Sequence, residues 1–133
     1  MRLPKREAAL KATLIKELKK HRAYLVFTHS DRRLYGVPDL SISGHGMTSW
    51  WELKHATPYF YSSKIQELTC YHLSLRTACH YILYFEHDDK RYTQIVLPKN
   101  LHNEVIAQPE AHIQGHDQAA VVQYIKQLHG EHR

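Results

Sequence analysis

The stretch from Asp39 to His55 leaves the backbone few options. Leu40 and Ile42 alternate with Asp39, Ser41 and Ser43, the period-two pattern of a strand with one apolar face. Ser43-Gly44-His45-Gly46 supplies a hairpin turn, and Met47 to His55 reads as the return strand. On that strand Trp50, Glu52 and Lys54 share one face while Trp51 and Leu53 take the other. Pro38 opens the first strand, a position where a missing amide hydrogen is tolerated. If the two strands pair, Asp39 and Glu52 converge, and Lys54 stands one alternation away on the same face.

Two carboxylates and a lysine so placed suit a hard divalent cation and a phosphodiester. Mg²⁺ keeps several of its own waters, so one or two carboxylates plus a backbone carbonyl suffice as protein ligands. Asp39 and Glu52 are the candidate ligands for Mg²⁺ or Mn²⁺, with the Leu53 carbonyl as a third contact. Lys54 is the candidate group for holding an attacking water or stabilising developing negative charge. The competing reading is a turn aspartate and a solvated strand face.

Around this hairpin the chain divides cleanly. Residues 3–20 read as an amphipathic helix with Leu3, Leu10, Leu14 and Leu18 on one face. Glu7 falls inside that leucine arc, where a charge is costly unless something needs it, which makes it a candidate third carboxylate. The alternative is a glutamate at the helix edge, favoured near an N-terminus in any case. Ala23 to Thr28 is an apolar, β-rich run, and His29 to Gly36 a polar loop carrying Arg32 and Arg33. Ser63-Lys64-Ile65-Gln66 has the form of a capping box opening a helix to about Ala78, with Ile65, Leu68, His72 and Leu75 as its inward stripe. His80 to Phe85 reads as a buried strand, Asp88-Asp89-Lys90 as a turn, and Arg91 to Leu97 as the returning strand. Pro98 onwards reads as a short turn or helix, and Gln118 to Leu128 as a closing amphipathic helix. The expected order is αβββαββ followed by a helix, in one domain spanning 1–133. Its core covers about 5–97, and 98–133 form an extension packed on it.

Composition narrows the classes further. No apolar run approaches the roughly 20 residues a membrane helix needs. No secretory signal is visible, so the expected setting is the cytoplasm, without a membrane partner. A formal net charge of +5 agrees with a polyanionic partner without requiring one. Arg32, Arg33 and Lys64 flank the hairpin acids and are candidates to hold phosphates, or are simply solvated. Tyr59-Phe60-Tyr61 follows the hairpin, and Tyr59 and Tyr61 either stack on bases or staple the next helix. Cys70 and Cys79, nine positions apart on or beside one expected helix, read as reduced buried thiols too distant for a disulfide. His112 and His116 lack the accompanying ligands of a zinc site.

Leu34-Tyr35-Gly36-Val37-Pro38-Asp39 and Trp51-Glu52-Leu53-Lys54 resemble the signature of the PD-(D/E)xK nuclease superfamily, which has the restriction-endonuclease-like fold. The compact arrangement is similar to its VRR-NUC and Holliday-junction-resolvase-type members, phage-encoded ones included, over roughly residues 5–97. The resemblance implies an α/β (α+β) core, a mixed central sheet flanked by helices, with the site at one sheet edge. It also implies a metal-binding glutamate on the first helix, matched by Glu7, and a glutamine early in the helix after the catalytic strand, matched by Gln66. For Gln66 a capping role competes.

The expected activity is therefore metal-dependent hydrolysis of nucleic acid, with structured DNA as the first substrate. A homodimer is expected if paired cuts in a junction are the task. A basic nucleic-acid-binding module without catalysis, and an RNA-directed nuclease of the same fold, are the alternatives.

Overall fold

A computed structural model describes residues 5–29, 36–60, 62–102, 105–106 and 108–130. Helix α1 (Lys5–Leu18) is followed by strands β1 (Leu25–Thr28), β2 (Leu40–Gly44) and β3 (Met47–Ala56). Helix α2 (Lys64–Ser74), strands β4 (Ala78–His87) and β5 (Lys90–Val96), and a 3₁₀ turn at Pro98–Asn100 come next. Strands β6 (Leu101–His102), β7 (Val105–Ile106) and β8 (Ala111–Gln114) and helix α3 (Gln118–Leu128) complete the chain. The fold is α+β. Six strands form one mixed sheet in the order β1-β2-β3-β4-β5-β8, and β6 and β7 form a separate pair.

Local chemistry sets this topology. His45 and Gly46 both have positive φ, 52° and 79°, so β2 and β3 close through a two-residue turn whose twist suits a hairpin. Asp88 and Asp89, at 51° and 59°, do the same between β4 and β5. β3 and β4 run parallel, which requires a crossover, and α2 provides it. Alternation along β4 then feeds two cores. Ile82 and Tyr84 join Leu10, Leu14 and Leu18 of α1, Val121 and Ile125 of α3, and Leu40, Trp51 and Leu53 of the hairpin. Tyr81, Leu83 and Phe85 pack on the opposite side with Cys70 of α2, Cys79, Phe60 and Leu101.

A buried polar relay ties α3 to the hairpin. Trp51 Nε1 donates to Ser49 Oγ at 2.7 Å, and that hydroxyl lies 2.8 Å from His129 Nε2. His129 Nδ1 lies 2.8 Å from the Gly44 carbonyl, which can only accept. The proton therefore sits on Nδ1, and Ser49 donates to Nε2. His80, stacked on Trp51 at 4.8 Å between ring centres, is lowered by burial to about 4 and stays neutral.

The expected order holds through β5, with differences that matter for the site. α2 stops at Ser74, because the Leu75 and Thr77 amides close its end by turning back to Tyr71 and Leu73 carbonyls. Cys79 consequently belongs to β4, not to a helix, and its thiol meets that of Cys70 across the second core. The two cysteines are therefore not spaced along one helix as expected, although both are free thiols. The expected inward stripe of α2 is also inverted. Ile65, Leu68 and Leu75 are 58%, 52% and 63% exposed and His72 is exposed as well, while Cys70 is fully buried and Gln66 and Leu73 partly so. Finally, β8 pairs with β5, so the stretch beyond residue 97 supplies an edge strand of the main sheet as well as α3.

Candidate active site

β3 is ten residues long and β2 five, and their ladder ends where Leu40 faces Trp51. Residues 52–56 of β3 continue past it, with no described strand on that side. The backbone donors facing this gap are met by carboxylates. The Leu53 amide donates to Asp39 Oδ2 at 3.0 Å, and the His55 amide donates to Glu7 Oε1 at 3.0 Å. Because the N–H and C=O of one strand residue lie on the same side, the Leu53 carbonyl turns into the gap too.

Asp39 and Glu52 grip each other's backbones. While Asp39 caps the Leu53 amide, Glu52 Oε1 accepts from the Asp39 amide at 3.1 Å. Glu52 Oε2 lies 3.4 Å from Lys54 Nζ. Both side chains are withdrawn from water, at 3% exposure for Glu52 and 12% for Lys54. Burial holds the Glu52 carboxyl well above its usual range, the negative charge of Asp39 pushes it further, and the Lys54 ammonium opposes both. Beneath them Cys79, hydrogen-bonded to Cys70 and buried, is pushed up and keeps its proton.

This arrangement fits a small divalent cation. One lysine faces two adjoining carboxylates, one of them strongly desolvated, and a carbonyl opens into the same gap. A cation there would relieve what Lys54 only partly offsets. Among the described residues no group of three or more His, Cys, Asp or Glu is gathered for a metal ion. Glu7, the expected third ligand, reaches the same edge of β3 from α1 and bonds a backbone amide there. It is 8% exposed and bonded to the amide two residues beyond Leu53, roughly 7 Å along the strand.

The other expected residues sort as follows. Gln66 stands at the third position of α2, where its amide donates to the Ser63 cap at 3.1 Å. Its side-chain oxygen accepts from Ser62 at 3.3 Å, so it supports the start of the helix, and among the described residues no hydrogen bond joins it to either acid. Lys64 is exposed on the first turn of α2, and Tyr59 is 78% exposed just past β3. Phe60, between the two tyrosines, is the residue that enters the core. Arg32, Arg33 and Tyr61 lie outside the described residues.

Gly36 shapes the approach to Asp39. Its φ is +81°, and a Cβ there would meet Thr69 Oγ1 at 2.7 Å and the Ile65 carbonyl at 2.9 Å. Only glycine lets the backbone run this close to α2 just before Val37-Pro38-Asp39. His29 was hidden in an expected loop, yet its amide donates to the Asp39 carbonyl at 2.8 Å. Its ring lies 5.1 Å from that of Trp50 and its Nε2 2.8 Å from Ser41 Oγ. Continuing the alternation Leu25, Phe27 by one step would have put His29 on the face of the acids.

Comparison with protein-family models and with curated proteins gives no match, so a functional reading rests on these residues.

Proposed function

We propose that this protein is a Mg²⁺- or Mn²⁺-dependent endonuclease of the PD-(D/E)xK type on a restriction-endonuclease-like core. DNA in a cytoplasmic setting is its substrate, chosen by structure rather than sequence. One observation carries the reading. Asp39 and Glu52 are locked together at the open edge of β3, with Lys54 at 3.4 Å on the same strand face. A mixed sheet whose β3 is followed by a helical crossover to a parallel β4 supports it.

The bound ion would acidify and orient a water and neutralise phosphate charge. Asp39 and Glu52 would hold it, with the Leu53 carbonyl beside them. Lys54 would position the water or meet the charge developing on the phosphoryl oxygens. Glu7 would fix the β3 edge by capping His55, and Gln66 would fix the helix start. Lys64, Tyr59 and the arginines at 32 and 33 would meet the rest of the nucleic acid. Paired cuts across a four-way junction would take two such sites, hence a homodimer.

The test is a cleavage panel of linear, flapped, single-stranded and four-way-junction substrates, in DNA and RNA versions, with Mg²⁺, Mn²⁺ or EDTA. Metal-dependent scission should fall at least about 100-fold in Glu52→Gln and in Lys54→Ala, with folding intact. Full activity in both variants, or none in the wild type on any substrate, ends the proposal. Preferential cutting of RNA would transfer the chemistry to that polymer.

A further inference from the structure

The α2-side surface of the sheet is only partly covered. α2 lies over β4 and the 3₁₀ turn, and among the described residues no element packs broadly on that side of β1 and β2. Leu25 and Phe27 are 58% and 52% exposed there. The register arranges this face in rows. Leu25, Ser43 and Thr48 form the outermost, Phe27, Ser41 and Trp50 the next, and His29, Asp39 and Glu52 the innermost. Adjacent rows are two strand residues apart, roughly 7 Å.

We infer that the Phe27–Trp50 row is a stacking platform for an unstacked base of the strand that the acid pair cuts, which makes the substrate one with single-stranded character. This rests on the nuclease reading. Trp50 is only partly buried, and its ring is held by His29, which Ser41 fixes in turn. Phe27 stands in the same row on β1, across Ser41 of β2 from Trp50, with half its surface open. An unstacked strand spans more than the roughly 3.4 Å per nucleotide of a duplex, so a base there and a phosphate at Asp39 and Glu52, roughly 7 Å away, can belong to neighbouring nucleotides of one strand. In a duplex the faces of a base are covered by its neighbours, and only a flap, gap or free end offers one to an aromatic ring. The net charge of +5 agrees with a polyanionic partner. The platform has no need to read sequence, since every base has a π-face.

Trp51 is fully buried, so ligand-induced change in intrinsic fluorescence reports on Trp50. The full-length protein is titrated in EDTA with a thymidylate oligonucleotide and with a blunt duplex of equal length, and so is Phe27→Ala. Quenching by the single strand, weakened at least about 5-fold in Phe27→Ala with an unchanged melting temperature, is the expected result. Trp50→Phe, which keeps a ring, should bind but lose the signal. Equal single-strand affinity in wild type and Phe27→Ala overturns the platform. If metal-dependent cleavage persists in that case, the nuclease reading stands without it. Phe27-dependent binding in a protein that never cuts would keep the platform and sink the nuclease. A concentration-dependent dimer that Phe27→Ala dissolves, with single-strand binding untouched, assigns the face to a second copy and overturns the inference.

Discussion

Replacing Lys54 with methionine keeps most of the side-chain volume and removes the ammonium that faces Glu52. Opposite unit charges 3.4 Å apart attract by about 5 kcal/mol at an effective dielectric near 20. Part of that is returned because the lysine no longer has to be desolvated. Stripping one member from a buried pair costs roughly 3–5 kcal/mol. About 3 kcal/mol in a chain of this size lowers the melting temperature by roughly 10 °C. The pH dependence has a definite sign. Burial and Asp39 hold Glu52 above the ordinary carboxylate range. Between the unfolded and folded values the native protein keeps a proton that the unfolded chain has released. Stability therefore falls as pH rises through that window. Lys54→Met raises Glu52 further. Its deficit should be smaller at pH 5 than at pH 8, because protonation of Glu52 removes the charge that Lys54 answers. Mg²⁺ at about 100 times its dissociation constant should restore about 2.7 kcal/mol, without restoring cleavage. Calorimetry of the metal-free proteins at both pH values, then with Mg²⁺, decides this. A melting temperature within about 2 °C of wild type at pH 8, or a deficit independent of pH, would refute the account of a buried Glu52, set beside Asp39, that depends on the Lys54 charge.

Four further outcomes follow from the geometry. Asp39→Asn leaves the Leu53 amide with a weaker acceptor and should abolish the Mg²⁺-induced rise in melting temperature while the protein stays folded, as thermal scans with and without the ion will show. Gly36→Ala forces a Cβ onto the Ile65 carbonyl at positive φ and should cost at least about 1–2 kcal/mol in denaturant titration, with a fall in cleavage as Asp39 shifts. Ser49→Ala removes the hydroxyl that joins Trp51 to His129 and should cost about 1–3 kcal/mol by the same assay, because two buried nitrogens lose their partner. Ile65→Lys and Leu68→Lys replace exposed side chains and should change stability by no more than about 0.5 kcal/mol each.

The hairpin was legible because its signals are local. Alternation set which side chains share a face, the glycines set the turn, and together they brought Asp39 to Glu52. Periodicity also located α2 but misjudged its orientation. A stripe at helical spacing states which residues lie together, not which side the sheet is on, and here Cys70 and Leu73 face inward. β8 escaped notice because four residues joining β5 across a long connection leave no short-range pattern. Glu7 was visible as an acid within an apolar arc. What it meets, a strand amide 48 positions away, depends on how α1 lies against β3 and is not written near either residue. His29 is not legible for a similar reason, since its neighbours Trp50 and Ser41 reach it only through the register of the sheet.

Among the described residues the part of β3 that outruns β2 has no strand beside it, and in another protein such a stretch would invite a stranger's strand to dock. Here the donors that such an intruder would need are already occupied by Asp39 and Glu7, and negatively charged side chains repel a neutral backbone's carbonyls. Asp39, proposed for hydrolysis, would thus also help Glu7 guard this edge against self-aggregation. Neutralising both acids together should make the protein stickier as well as inert.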